Sequence, residues 1–250
     1  MKNSEKDTSK WENASDKVSF DAVYSDFQKL KRNYRNSFHG DMCDEIDRYF
    51  QQGAKIIEVW WQYGVSLLLQ NVWFEKTLLD IDAWALEKAR LLAQYESQKV
   101  HIIHGDMYDM NSIPNETYDI VFNAWVLEHF NFEERVLLLK EYARILKRGG
   151  VMVIAIPNHY SKWYRIWYMI HIFFWQWKIP EEYKIYDMWD EVHVNKLELV
   201  SRKVVSPETI INFYSWAFFG VWKIGAIIMS ITHKFYTLDW YLTILTIKKP

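Results

Sequence analysis

Short apolar runs alternate with amphipathic stretches through the middle of this chain. Between residues 54 and 157 the runs have the length of buried strands, and apolar spacings of three and four fall between them. Strands that alternate with helices predict a parallel sheet with right-handed crossover connections. The predicted strands are Lys55–Val59, Thr77–Asp80, His101–His104, Tyr118–Asn123 and Val151–Ile156. The predicted helices between them are Val65–Gln70, Ala85–Tyr95 and Glu133–Leu146.

Apolar positions on both sides of this region predict further elements. Phe20–Tyr34 and Asp41–Gln52 have the spacing of amphipathic helices, and Glu198–Val204 and Trp240–Ile247 have the character of two last strands. The first 19 residues are polar and lack the apolar stretch of a signal peptide.

This pattern predicts one α/β domain, residues 20–250, behind a polar tail, residues 1–19. The predicted parts of the domain are N-terminal helices (20–53), a core (54–157), a cap (158–196) and the last two strands with an apolar helical insertion (197–250).

Composition narrows the function classes. A net charge of −2 gives no electrostatic reason to expect nucleic acid as a partner. The single cysteine, Cys43, excludes an internal disulfide and a cysteine-based metal cluster, which suits a reducing cytoplasm. His101 and His104 are three apart on a predicted strand, so they point to opposite faces and form a poor metal pair. No metal site is predicted.

Five segments in order resemble the motifs of class I S-adenosylmethionine (SAM)-dependent methyltransferases of the small-molecule, type 11-like kind. The segments are Glu58-Val59-Trp60-Trp61-Gln62-Tyr63-Gly64, Leu78-Leu79-Asp80-Ile81-Asp82, Val100-His101-Ile102-Ile103-His104-Gly105-Asp106-Met107, Tyr118-Asp119-Ile120-Val121-Phe122-Asn123 with Leu127-Glu128-His129, and Ala143-Arg144-Ile145-Leu146-Lys147-Arg148-Gly149-Gly150-Val151-Met152-Val153-Ile154.

The resemblance implies a Rossmann-like methyltransferase fold. Its sheet would have seven mostly parallel strands, with helices on both faces, an apolar helical cap and the last two strands antiparallel at the edge. The first strand would be central, with Asp80 and Asp106 at the carboxyl ends of its neighbours. Gly149-Gly150 would stop the preceding helix.

The resemblance also implies a SAM site and assigns roles by position. Glu58 would anchor the methionine end of SAM, and Asp80 would accept hydrogen bonds from both ribose hydroxyls. Asp106 and Met107 would contact the adenine, and Asn123 would lie below the methionine moiety. Gly64 in the first motif and Ile81 in the second are also assigned to the cofactor site. His129 is a candidate general base. The alternative for Asp80 and Asp106 is that acids commonly end strands and cap helices.

The first motif departs from the family pattern, E-V-G-C-G-x-G. Trp60 and Gln62 fall on glycines and Trp61 on a small residue, in a chain with 14 tryptophans and only 8 glycines. These side chains are predicted to fill space that ribose and methionine need, and a tryptophan at positive φ costs about 1–2 kcal/mol. The alternative is that both indoles point into a rearranged core.

Two apolar regions concern the methyl acceptor. Trp163–Trp177 lies where the family places a substrate cap, and Ile210–Thr232 reads as an apolar lid, an interfacial helix or a helix pair packed on the sheet. Tyr24 lies on a helix that family members fold over the active site. A small, apolar acceptor follows from this aromatic, largely uncharged enclosure.

Three functions stay open at this point. The first is SAM-dependent methyl transfer to a small apolar acceptor in the cytoplasm. The second is a catalytically silent scaffold, natural or engineered, with a filled pocket. The third is a peripheral membrane protein that uses residues 210–232. The sequence does not define the oligomeric state.

Overall fold

The computed structural model describes residues 19–49, 52–59, 62–162, 164–166, 168–169, 182–205 and 241–250. The helices are α1 (Phe20–Asn33), α2 (Phe38–Asp47), α3 (Val65–Leu69), α4 (Ala83–Tyr95), α5 (Phe132–Ile145) and α6 (Trp189–Val194). The strands are β1 (Lys55–Val59), β2 (Glu75–Asp80), β3 (Val100–His104), β4 (Tyr118–Ala124), β5 (Leu146–Pro157), β6 (Glu198–Val205) and β7 (Leu242–Lys248). Short 3-10 helices cover Tyr34–Asn36, Gln62–Gly64 and Leu127–His129.

These strands form one sheet of seven strands in the order β3-β2-β1-β4-β5-β7-β6. The pairs from β3 through β5 are parallel, whereas β7 pairs antiparallel with both β5 and β6. β1 lies between β2 and β4, where the chain reverses its direction of winding. Such a reversal opens a crevice at the carboxyl ends of the strands. The predicted seven-stranded, mostly parallel Rossmann-like sheet is confirmed.

The prediction for Asp106 was wrong in one respect. Asp106 follows β3, which pairs with β2 and lies at the edge of the sheet, so β3 is not a neighbour of β1. The chain winds outward from β1 through β2 to β3 before it returns to β4 on the other side. Asp106 therefore lies two strands from Glu58, while Asp80 lies one strand away.

The predicted helix stop at Gly149-Gly150 was also wrong. α5 ends at Ile145, and both glycines lie inside the β5 segment, where the pairing with β4 shifts between Tyr118↔Leu146 and Ile120↔Val151. Gly149 adopts φ 75°, and its N–H donates to the Lys249 carbonyl oxygen at 2.9 Å. A bulge with a residue at positive φ favours glycine, as the end of a helix does. The same Gly-Gly pair therefore fits either structure.

Both faces of the sheet are covered by apolar side chains. α5 packs on one face through Leu138, Leu139 and Tyr142, which join a buried cluster with the strands. α2 packs on the other face through Met42 and Ile46. Because the sheet is closed on both sides, its carboxyl edge is where polar side chains from several strands come together.

α1 lies away from that edge, which contradicts the expected role of Tyr24. The Tyr24 ring is 5.1 Å from the ring of Tyr95, the last residue of α4. α4 begins beside Asp82 at the carboxyl edge and runs back for 13 residues, a rise of about 18 Å. Tyr24 therefore packs near the amino ends of the strands and does not enclose a methyl group. The apolar face of α1 packs against α4.

Several predictions fall on residues outside those that the structure describes. They concern Trp60 and Trp61, most of the Trp163–Trp177 cap and the segment 210–232. The described part of the cap is helical at Lys162, Tyr164–Ile166 and Tyr168–Met169. Within the described ranges, none of the helices has the length and apolar character that a membrane span requires. The domain boundaries remain a prediction.

Candidate functional site at the carboxyl edge of the sheet

The turn after β1 uses two consecutive left-handed residues. Tyr63 has φ 59° and Gly64 has φ 65°, and α3 begins at the next residue. A Cβ on Gly64 would come within 3.2 Å of Leu78 Cδ2 on β2. Gly64 is thus the retained small residue of the first motif, and both its φ angle and its contact with β2 favour glycine.

Gly64→Ala is expected to reduce the free energy of unfolding by about 1–2 kcal/mol, because alanine is strained in the left-handed region. Gly53→Ala is the matched control. Gly53 has φ 87°, and a Cβ added there would meet nothing within 4 Å, so this position carries the backbone strain alone. Urea unfolding of both variants measures the difference. A larger loss at Gly53 than at Gly64 would contradict the close approach to Leu78.

Glu58 is fully buried near the end of β1. Its Oε2 accepts a hydrogen bond from Leu67 N in α3 at 3.1 Å, while its Oε1 has no hydrogen-bond partner among the described residues. Burial raises the pKa of the carboxyl to about 8, and the negative charge of Asp80 adds to this, whereas the Leu67 bond and Lys76 oppose it. An acid of this kind is costly to keep unless a ligand supplies a donor.

Asp80 ends β2 and is buried beside Glu58. Its Oδ1 accepts from Asp82 N at 2.9 Å. Burial raises the pKa of Asp80 to about 6. The next acid, Asp82, has a different task, because its Oδ1 accepts from Trp84 N at 2.8 Å and caps α4. Ile81 between them presents its carbonyl oxygen 2.9 Å from His104 Nε2.

Asp106 and Met107 follow β3 in the same region. The Asp106 carboxylate accepts from Tyr108 N at 2.9 Å, which fixes a tight turn. Met107 is fully buried, and the Tyr142 hydroxyl lies 3.8 Å from its sulfur. The local hydrogen bond of Asp106 agrees with the structural alternative for this acid.

Asn123 lies near the end of β4 and is fully buried. Its Nδ2 donates to the Tyr142 hydroxyl oxygen at 3.0 Å, and its Oδ1 has no partner in the described part of the chain. Trp125, two residues later, adopts φ 53°, and its N–H donates to the Ala155 carbonyl oxygen at 2.9 Å. A tryptophan in the left-handed region stores strain of a kind that often lies at functional sites.

His129 lies at the end of the 3-10 helix that follows β4. Its side chain is buried, and its Nε2 lies 3.9 Å from Glu128 Oε1. Glu128 is buried too, and neither of its carboxylate oxygens makes a hydrogen bond to another described residue. The sequence interpretation considered only the histidine of this pair. The more unusual side chain is the glutamate.

The structure adds three residues that the sequence interpretation missed. His159 lies two residues after β5, with its Nε2 2.9 Å from Glu182 Oε2, and the Tyr164 hydroxyl donates to the same oxygen at 2.7 Å. The position of His159 just beyond a strand end was the available signal, since ligand sites in such sheets lie there. Glu182 and Tyr164 gave no comparable signal.

His39 on α2 is a further buried histidine that the sequence did not predict. Its Nδ1 lies 2.8 Å from the Ser66 hydroxyl on α3, and burial lowers its pKa to about 3. The ring is therefore neutral at physiological pH, and it ties α2 to the turn after β1. Among the described residues, no group of three or more histidine, cysteine or acidic side chains could hold a metal ion.

The sheet order and these strand-end acids match one known domain type. The sequence model of a family described as "Methyltransferase domain" matches residues 63–154. Residues 63–154 therefore resemble a methyltransferase domain, over 92 of the 250 residues of the chain. The recognition made from the five motifs is thereby confirmed.

Known relatives of the methyltransferase domain agree in fold. The chain is 29% identical over 83 residues to YbaJ, an uncharacterized methyltransferase of Bacillus subtilis (strain 168), a match that spans 33% of this chain and only 31% of that protein. A solved geranyl diphosphate methyltransferase in complex with SAM has a TM-score of 0.62 at 14% identity, covering 98% of this chain and 95% of that chain. The 4+2 cyclase SpnF has a TM-score of 0.57 at 14% identity, covering 84% and 80%.

Proposed function

We propose that this protein transfers a methyl group from SAM to a small, largely apolar acceptor. One observation carries the proposal: Glu58 Oε1 and Asn123 Oδ1 are buried acceptors without partners in the described chain, at the edge where Asp80 ends β2. Buried polar atoms are normally paired, so acceptors left open at a strand-end crevice fit a ligand that brings donors. SAM brings an amino group and two ribose hydroxyls.

The residue roles follow from position on the sheet. Glu58 at the end of β1 would accept from the amino group of the methionine moiety, and Asp80 at the end of β2 would accept from the ribose hydroxyls. Asp106 and Met107 after β3 would contact the adenine, and Asn123 on β4 would lie under the methionine chain. The left-handed turn at Gly64 and the Ile81 backbone support these contacts.

Methyl transfer depends mainly on how the protein positions the acceptor relative to the methyl group. Bound SAM supplies the activated methyl group. The chain has to hold the acceptor in line with it and keep water out. His129, buried beside Glu128, is the proposed base for an acceptor that must lose a proton.

Aromatic rings beyond β4 and β5 support an apolar acceptor. The Trp125 ring lies 4.0 Å from Phe38 and 6.1 Å from Tyr241, and Tyr241 lies 5.0 Å from Tyr164. Trp125 follows β4, and Tyr241 lies directly before β7, which pairs with the carboxyl end of β5. The related geranyl diphosphate methyltransferase is named for a substrate with a hydrocarbon tail.

The alternative of a catalytically silent scaffold rests on Trp60, Trp61 and Gln62. Glycines are usual in this turn because the backbone approaches the cofactor there. The cyclase SpnF illustrates that a protein of this fold can carry a name for other chemistry. Attachment to a membrane surface through residues 210–232 stays a prediction, and co-sedimentation with liposomes tests it.

The glycine-restored variant carries Trp60→Gly, Trp61→Cys and Gln62→Gly. We expect it to bind S-adenosylhomocysteine (SAH), the demethylated product, at least tenfold more tightly than the unmodified chain, about 1.4 kcal/mol. The reason is that two indoles no longer occupy the space of ribose and methionine. Isothermal titration calorimetry measures the ratio. Micromolar affinity for SAM in the unmodified chain would show that the turn does not obstruct the site.

Radiolabelled methyl transfer by the glycine-restored variant tests the acceptor class. Lipid-like, phenolic, peptide and RNA acceptors should be offered separately, with labelling expected on the lipid-like or phenolic molecules. A charged polymer would be desolvated without partners in an aromatic chamber. Preferential labelling of RNA or peptide would overturn the apolar acceptor, and labelling of none would favour the silent scaffold.

A further inference from the structure

Glu128 is a buried acid without a counterion in the part of the chain that the structure describes. The residue is 1% exposed, and neither carboxylate oxygen has a hydrogen-bond partner on another described residue. Among the described residues, the basic nitrogen within 4 Å of this carboxylate is His129 Nε2. It lies 3.9 Å from Glu128 Oε1, beyond hydrogen-bond range. A buried ionised carboxylate is costly unless something pairs with it.

A second buried acid, Glu182, lies in the same region and has partners at its Oε2. Its Oε2 is 2.9 Å from His159 Nε2 and accepts from the Tyr164 hydroxyl at 2.7 Å. Arg165 Nη1 lies 3.2 Å from His159 Nδ1, on the other side of the same ring. The backbone links the two acids, since Tyr183 N donates to the Glu128 carbonyl oxygen at 2.6 Å. Within the described chain, Glu182 has its partners and the Glu128 carboxylate lacks one.

Tyrosine rings lie near both acids, since the charges of Glu182 and Glu128 add to burial in raising the pKa of the Tyr164 and Tyr241 hydroxyls. The His159 ring lies 5.1 Å from Tyr164 and 5.2 Å from Tyr168, and Tyr164 lies 5.0 Å from Tyr241. Burial and the charge of Glu182 together raise the pKa of Glu128 well above its ordinary value. Aromatic faces around a carboxylate attract a cation by cation–π interaction as well as by charge.

We propose that Glu128, with the Tyr164 and Tyr241 rings, binds a basic nitrogen, so that the acceptor is a hydrophobic amine. This proposal rests on the function proposed above and deepens it by naming the head group of the acceptor. An ammonium supplies the donor that Glu128 lacks, and the aromatic rings accommodate its apolar substituents. An ammonium favours the ionised form of Glu128 and pairs with it, whereas an alcohol brings no positive charge and a carboxylate would be repelled by the two acids.

In this arrangement the Glu128 carboxylate can accept the proton of the ammonium. A protonated amine has no lone pair, so one N–H bond must break before the nitrogen can act as a nucleophile. The electron pair of that bond stays on nitrogen, and the proton forms an O–H bond on the Glu128 carboxylate. For an amine acceptor, Glu128 thus takes the place of His129, the base proposed above for acceptors in general. Burial favours the protonated form of this acid, and its charge partner leaves as the nitrogen becomes neutral.

The experiment is calorimetric titration of the full chain, without cofactor, with four probes of equal chain length. These are octylamine, trimethyloctylammonium, 1-octanol and octanoate. We expect both ammonium probes to bind at least about tenfold more tightly than octanol, and octanoate to bind least. This comparison needs no mutation. Equal affinity for octylamine and octanol, or absence of binding by octylamine, would overturn the proposal.

Glu128→Gln should lower the octylamine affinity about tenfold or more and leave that of octanol unchanged. Glu133→Gln, at an exposed acid in the first turn of α5, is the matched control and should change neither. Glu182→Gln is a second variant for the case that Glu128→Gln does not fold, with the same direction expected. Retention of octylamine affinity in a folded Glu128 variant would contradict the assignment.

Titration of the same samples with SAH separates this inference from the proposed function. If octylamine is preferred but SAH never binds, including to the glycine-restored variant, the ammonium site stands and the methyltransferase proposal fails. If SAH binds and octylamine is not preferred over octanol, the methyltransferase proposal stands and the ammonium site is wrong.

Discussion

Asp80→Asn, placed in the glycine-restored variant, is expected to lower the affinity for SAH about 100-fold. A carboxylate at the end of β2 can accept from both ribose hydroxyls, whereas an amide presents only one acceptor oxygen and no charge. Hydrogen bonds to charged groups contribute about 1.5–3 kcal/mol, and 100-fold corresponds to about 2.7 kcal/mol. Calorimetric titration at pH 8, above the pKa of about 6 that burial gives Asp80, measures this loss.

Asp82→Asn is the matched control, two residues away with the same change of charge. The Asp82 side chain caps α4 by accepting from Trp84 N and Ala85 N, and asparagine caps helices equally well. We expect its effect on SAH affinity to be less than about twofold. If both substitutions weaken binding equally, the general negative potential matters and Asp80 has no specific contact. If Asp80→Asn has no effect, the ribose assignment is wrong.

Glu58→Gln is expected to stabilise the protein at high pH, by about 5 kcal/mol at pH 9. Burial raises the pKa of Glu58 from 4.5 to about 8, so the folded state keeps a proton that the unfolded chain loses. Below pH 4.5 both states are protonated, and the wild type carries no penalty. Between pH 4.5 and 8 its free energy of unfolding falls as the pH rises, and above pH 8 the loss is complete. Glutamine carries no such charge.

Urea unfolding at pH 5, 7 and 9 measures this difference. Glutamine can still accept from Leu67 N through its carbonyl oxygen, so the hydrogen bond across the turn survives. Glu87→Gln, at an exposed acid on α4, is the control and should show no difference that grows with pH. A Glu58 variant that is no more stable than wild type at pH 9 would mean that Glu58 is ionised and paired in the folded state. Stability gained at this position should be accompanied by weaker SAH binding.

The central strands were predictable because their sequences carry two signals at once. β1 and β2 are apolar runs of a strand's length, and each ends close to an acid, Glu58 and Asp80. A parallel strand that is buried on both faces consists almost entirely of apolar residues, so its sequence is easy to recognise. The order of the motifs then determined which strand ends share the crevice. For that reason the positions of Glu58, Asp80 and Asn123 agree with the sequence prediction.

Other predictions were wrong because the same residues are compatible with two different structures. Gly149-Gly150 serves a bulge as well as a helix stop, since both need a residue at positive φ. The apolar face of α1 that includes Tyr24 would suit either an active-site lid or a cover for α4. The placement of Asp106 required the strand order, and strand order depends on long-range pairing that local periodicity does not contain.

The acids at the acceptor side show what sequence cannot supply. Glu128 precedes His129 in a recognised motif, but its lack of a partner among the described residues becomes visible only when Glu182, 54 residues later, is found engaged by His159 and Tyr164. Burial and pairing are properties of the packed chain. The candidate ammonium site was therefore beyond prediction from the order of residues alone.

The most direct test of a SAM site at this edge is a crystal structure of the glycine-restored variant with SAH. A SAM site here predicts the ribose hydroxyls within about 3 Å of the Asp80 carboxylate and the amino group of the ligand at the same distance from Glu58 Oε1. It also predicts the adenine beside Met107. SAH bound elsewhere, or Glu58 Oε1 still without a partner in the complex, would contradict it.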